Sequence, residues 1–148
     1  MAEVGEQLWL PFGREGVFAL VADIERYPEF VPRYRESRIL DRDGRRLAVE
    51  QVVGIGGALY RFRSWAELEP PRALWVRTTD FPFREMTVRW RFEPAGEGCR
   101  VALRMAFRLR LPLVSGPAGS LAGRAARQTL GAFEARAYEL LGPGGGAA

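Results

Sequence analysis

The sequence predicts an α+β fold: a bent, seven-stranded antiparallel sheet wrapped around one long C-terminal helix, with two short helices after the first strand. Three observations predict it. From Ser115 to Leu141, apolar residues recur at helical spacing, with Leu121, Ala122, Ala125, Ala126, Thr129, Leu130, Ala132, Phe133, Ala137, Leu140 and Leu141 on one arc. Between Arg33 and Leu111, six segments alternate apolar and polar residues across short turns, the mark of a meander with one greasy and one wet face. That greasy face needs a cover, and the last helix is the element long enough to supply one.

Taken in order, Val4 to Leu10 alternates and reads as a first strand at or near an edge, ended by Pro11 and Gly13. Arg14 to Ile24 is a short helix that buries Val17, Phe18, Leu20, Val21 and Ile24. A second short helix over residues 25–32 is interrupted by Pro28 and Pro32, and its aromatics Tyr27 and Phe30 should dock it back on the fold. The six strands then run 33–42, 45–55, 58–69, 73–79, 84–93 and 99–111. Asp43-Gly44, Gly56-Gly57, Pro70-Pro71, Asp80–Phe83 and Pro94–Gly98 turn them.

The final helix is expected to be capped by Ser115 or Ser120 and stopped by Gly142, as a left-handed cap, and Pro143. Ala125, Ala126, Thr129 and Ala132 make the middle of its buried arc small. Such residues either let the helix approach its partner closely or leave room for something else. Arg136 is the polar exception inside the arc, read as a side chain snorkelling near the helix end or as a ligand contact.

The 148 residues fit one domain over 1–141, followed by a disordered glycine-rich tail over 142–148. No apolar run reaches the roughly 18 residues of a membrane span, and no signal-peptide pattern opens the chain, so a cytoplasmic location is the expectation. Net charge is +4, and every basic residue is an arginine. An anionic partner is thereby permitted, not required. Cys99 is alone, which excludes an internal disulfide.

Several segments together resemble the START-like, or helix-grip, superfamily, which also holds Bet v 1-like proteins. They are the run Val17-Phe18-Ala19-Leu20-Val21-Ala22-Asp23-Ile24-Glu25-Arg26-Tyr27-Pro28-Glu29-Phe30-Val31-Pro32, then Leu68-Glu69-Pro70-Pro71-Arg72, Trp90-Arg91-Phe92-Glu93-Pro94 and Ala132-Phe133-Glu134-Ala135-Arg136-Ala137. The most similar branch holds the coenzyme Q-binding proteins, the ribosome-association toxin-like proteins and the polyketide cyclase/dehydrase group. That branch often follows its Phe-x-Pro with Trp and Cys, where this chain has Arg33 and Tyr34.

The chain has no histidine, which removes the commonest general base and metal ligand. No carboxylate pair falls on the inner strand faces; Glu67, Glu85 and Glu93 read as outer-face charges. Gly54–Gly57 lacks the Lys-Ser/Thr and the helix of a phosphate loop. Cys99 reads as an inert small residue or a reactive thiol. Aromatase/cyclases of the resembling fold use polar cavity groups, several of them a histidine. Acid–base catalysis is therefore not expected, nor is a cofactor or a metal.

The inner faces would gather Tyr60, Phe62, Ser64, Val76, Thr78, Met86, Val88, Trp90, Leu103, Met105 and Phe107 against Ala125, Thr129 and Phe133 of the last helix. Apolar walls with a few hydroxyls are what small-molecule sites look like, although the same side chains can fill a solid core. The resemblance favours a pocket. It implies a non-enzymatic carrier or chaperone of a hydrophobic small molecule, a lipid or isoprenoid quinone, with loops at Gly56-Gly57 and Phe81-Pro82-Phe83 gating entry. On the outer face, Arg61, Arg63, Arg77, Arg89, Arg91, Arg104 and Arg108, with Trp65 and Trp75 among them, read as a solvated sheet or as a ribosome- or RNA-binding surface. A polyketide cyclase is the third alternative.

Overall fold

The computed structural model describes residues 3–110 and 118–143. Strand β1 (Val4–Leu10) leads into helix α1 (Arg14–Ala22) and a 3-10 helix over Ile24–Glu29. Then come β2 (Tyr34–Asp43), β3 (Arg46–Ile55), β4 (Ala58–Glu69), β5 (Ala73–Thr78), β6 (Phe83–Ala95) and β7 (Gly98–Leu109), and last α2 (Ala118–Leu141). All seven strands pair antiparallel in one sheet, in the order β1-β7-β6-β5-β4-β3-β2. β1 therefore closes one edge, where its pattern placed it. This is the helix-grip arrangement.

Several expected boundaries move for identifiable reasons. α1 stops at Ala22 because Asp23 leaves the helical region (ψ 66°), and Ile24 opens the 3-10 helix instead. β6 runs on through Pro94 to Ala95, leaving Gly96-Glu97 as the turn to β7. Proline is tolerated there because the β5 side of β6 is last engaged at Phe92, whose N–H donates to the Arg72 carbonyl at 2.9 Å, and the pairing does not reach Pro94. Ser120 lies inside α2 and so is not its cap; Ser115 and the glycine-rich tail beyond Pro143 lie outside the described residues.

Gly142 ends α2 by another route than the expected left-handed turn. Its backbone is not in the left-handed region; its N–H donates to the Tyr138 carbonyl at 3.1 Å, and an added Cβ would collide with that oxygen.

Register shifts at Tyr34/Glu36, Ile39/Asp41 and Phe83/Glu85 mark irregularities that bend the sheet. Two apolar clusters fill the bend. One joins Leu10, Val17, Val21, Leu74, Phe92 and Leu103 to Ala126, Leu130, Phe133 and Ala137 of α2. The other joins Val53, Phe62, Phe83, Met86 and Phe107 to Ala122. Tyr34, Val76, Val88 and Met105 touch both clusters yet are only partly buried, which places unfilled space at the seam.

Candidate ligand cavity

Both readings of the small-residue arc are realised, at different positions. Ala122, Ala126 and Ala137 are fully covered and bring α2 close to its neighbours. Ala125 and Thr129 instead look into a cavity of about 120 Å³ between α2 and the sheet. Its sheet wall is Phe62, Ser64, Val76, Met86, Val88, Trp90, Met105 and Phe107, and Phe133 stands at the α2 side. Phe133 is fixed in place by aromatic edges: Trp90 and Phe30 at 4.9 Å between ring centres, and Tyr27 at 5.3 Å.

Three expected lining residues are placed elsewhere. Tyr60 packs on Phe81, with ring centres 6.0 Å apart. The Thr78 hydroxyl donates to the Arg63 carbonyl and accepts from the Asp80 N–H, so it serves a turn. Leu103 is entirely buried in the solid part of the core, opposite Trp90. Alternation assigns each of them to the inner face correctly, but it does not say how far along its strand the cavity extends. Gly54, Ile55 and Phe83 line the cavity, whereas Gly56, Gly57, Phe81 and Pro82 of the expected gating loops do not.

The structure adds lining residues that the alternation did not single out: Tyr27, Arg33, Tyr34, Val49, Gln51, Val53 and Leu121 among them. Gln51 carried a legible signal. It is the polar member of the inward series Leu47, Val49, Gln51, Val53, Ile55, and it is 97% covered (3% exposed). The Ser64 hydroxyl donates to its Oε1 at 2.9 Å. Its amide also reaches the Tyr34 hydroxyl. The cavity thus has one polar strip, Tyr34–Gln51–Ser64, in an otherwise apolar wall.

Burial pushes the Tyr34 hydroxyl up to about 12, against the downward pull of the Gln51 hydrogen bond. Tyr27 is raised as well, by burial first and then by Tyr34 and Asp23, and it donates to the Val21 carbonyl. Both phenols stay protonated donors at neutral pH. A raised folded-state pKa adds stability that is complete below the unfolded value near 10 and is lost as pH climbs towards the folded one. Because the chain has no lysine, tyrosine ionisation dominates that window. Cys99, whose thiol burial also raises, adds to the loss above its unfolded value of about 8.5, so denaturation midpoints should stay level from pH 7 to 8, begin to fall towards pH 9 and fall further between about pH 10 and 12. Tyr34→Phe should flatten part of the fall, a contribution of up to about 2 kcal/mol for this half-buried ring.

Other candidate groups resolve differently. Cys99 is wholly buried, and burial pushes its thiol up, so it is an inert core residue. Arg136 is mostly covered (13% exposed side chain); it pairs with Glu29 at 2.8 Å and lies over the Phe30 ring at 4.9 Å. It straps α2 to the 3-10 helix and takes no part in the cavity. Among the described residues no group of three or more potential ligating side chains could hold a metal ion.

The outer sheet face divides. Arg61 is held by Glu50 and Glu36 at 3.0 and 3.2 Å, and Arg104 by Glu3 at 3.0 Å. Partial burial opposes ionisation of Glu50, but hydrogen bonds from Arg61 and Arg38 win and hold its carboxyl below the ordinary value. Arg63, Arg77, Arg89, Arg91 and Arg108 enter none of the ion pairs among the described residues. Trp65 and Trp75 stand half-exposed beside them, with Arg89 over Trp75 at 5.0 Å and Arg46 over Trp65 at 5.8 Å. No helix among the described residues is long and apolar enough to cross a membrane.

Residues 10–134 match the family described as polyketide cyclase/dehydrase and lipid transport. The ribosome association toxin RatA of Pseudomonas aeruginosa is 33% identical over 134 residues, which cover 90% of this chain and 93% of that protein. A START superfamily protein from Mycobacterium smegmatis superposes with a TM-score of 0.80 at 24% identity, covering 90% of this chain and 95% of its own. An 18 kDa protein from Caulobacter crescentus does so at 0.77 and 28% identity, covering 97% and 100%.

Proposed function

The chain belongs to the polyketide cyclase/dehydrase and lipid transport family, and from that premise we propose that it binds a hydrophobic small molecule between sheet and α2 without chemically altering it. The observation that carries this reading is the apolar cavity with a single polar strip. Its size decides what enters. About 120 Å³ is close to the roughly 150 Å³ that admits benzene in an engineered apolar cavity, and below the roughly 300 Å³ at which drug-sized pockets begin. One ring or a short acyl segment fits; a whole isoprenoid tail does not, and would have to project through the mouth or displace α2.

Catalysis is disfavoured by the chemistry of the lining. Tyr34, Gln51 and Ser64 are neutral at physiological pH, and no carboxylate or histidine stands beside them to move a proton. Solvent extraction of the purified protein followed by mass spectrometry tests the binding reading. A stoichiometric apolar compound is the expected result. Protein that is always empty, and that also refuses short fatty acids and simple quinones in titration, would remove it.

A second reading has its own observation, the arginines that enter no ion pair among the described residues and are interleaved with Trp65 and Trp75. Such a face suits phosphates and stacked bases, and the RatA relative is named for ribosome association. If this chain does the same, Arg89→Glu with Arg91→Glu should abolish co-sedimentation with ribosomal subunits while sparing cavity loading. Wild-type co-sedimentation should also weaken steeply as salt rises. Co-sedimentation that survives both the charge reversal and high salt would exclude the arginine face as the contact.

A further inference from the structure

The cavity's mouth has a chemistry of its own. Of the lining residues, Pro32 and Arg33 are the exposed ones, so the opening lies where the 3-10 helix hands over to β2. Arg33 is also the one charged residue of the lining. Its φ is +76°, a left-handed conformation uncommon for a residue with a side chain. Its carbonyl accepts a hydrogen bond from the Gly54 N–H at 2.9 Å, which fixes the turn against β3.

That backbone conformation has a steric result. Successive residues of an extended strand point to opposite faces, so Arg33 would normally face solvent if Tyr34 faced inward. The left-handed turn breaks the alternation, and both neighbours line the same cavity. Arg33 enters none of the ion pairs among the described residues. Tyr34 lines the cavity next to Arg33 and carries a phenol hydroxyl that can donate as well as accept. Arg33 and Tyr34, a cation and a phenol, therefore border one end of a chamber whose remaining walls are mostly apolar.

We infer that the cavity takes an anionic amphiphile, a short-chain carboxylate that enters tail first and leaves its head on Arg33 and Tyr34 at the mouth. This rests on the reading of the cavity as a ligand site. A carboxylate accepts without donating, which matches two donors and no nearby acid. The volume holds a few carbons of tail, and the polar strip leading inward from Tyr34 shortens the apolar path further.

The test is a calorimetric or nuclear magnetic resonance titration of the full chain with octanoate, 1-octanol and octylammonium, which share a tail and differ in head charge. Wild-type protein should prefer octanoate to octanol by about tenfold and bind octylammonium least. Arg33→Gln should collapse that preference. Arg33→Gly, which suits the positive φ and keeps the turn, should do the same, whereas Arg33→Lys should retain most of it. Tyr34→Phe should lower octanoate affinity a further few-fold. Equal affinity for octanoate and octanol in the wild type, or a preference indifferent to both Arg33→Gln and Arg33→Gly, overturns the head-group assignment and leaves the cavity reading standing. Refusal of all three probes overturns both.

Discussion

Ala125→Leu is expected to abolish the loading of apolar ligands while leaving the fold intact. Ala125 faces the cavity, and it is partly exposed there instead of being pressed against a neighbour. A leucine side chain at that point occupies most of a space of about 120 Å³ without displacing existing contacts. Overpacking a filled core costs about 1–3 kcal/mol, but filling a void does not carry that penalty, so the denaturation midpoint should hold or rise slightly. Thr129→Leu, facing the same space, should act in the same direction. Retained binding by both variants with a native circular dichroism spectrum would mean that ligands lodge elsewhere.

Phe133→Ala should have the largest effect on stability. Its ring is 95% covered (5% exposed) and makes edge contacts with Tyr27, Phe30 and Trp90. These contacts join α2 to the 3-10 helix and to β6, so the residue ties three elements together. Removing a buried phenylalanine costs about 3–5 kcal/mol, a large share of what holds a domain of this size together. Urea denaturation should show a loss of that order, and Phe133→Leu should recover more than half of it. A loss under about 1 kcal/mol would show that the aromatic cluster is peripheral.

The architecture was legible because its signals are periodic. Six alternating segments with turn residues between them give six strands, and one broad apolar arc gives the covering helix. The small residues Ala125, Ala126, Thr129 and Ala132 were equally visible, yet periodicity alone could not say which would pack tightly and which would face a space. That depends on where the two apolar clusters meet, a property of the bent sheet as a whole. Leu103 shows the limit: its inward face was predictable, its place in the solid part of the core was not.

The cavity's polar side was only partly legible. Gln51 broke an apolar alternation and could have been picked out on that ground alone. Arg33 could not, because its position depends on a positive φ at a residue with no intrinsic preference for it. The arginine face was readable residue by residue, but its division was not. Pairing of Arg61 with Glu36 and Glu50 depends on the register of β2 against β3 and β4.

The ligand is expected to reside in the space between the sheet and α2. Intermolecular nuclear Overhauser effects between bound octanoate and protein methyl groups would locate it. Cross-peaks are expected from the ligand tail to Val76, Met86, Val88, Met105 and Leu121, with none to the outer face. Cross-peaks confined to protons of Trp65 and Trp75, with those inner methyls silent, would contradict that placement.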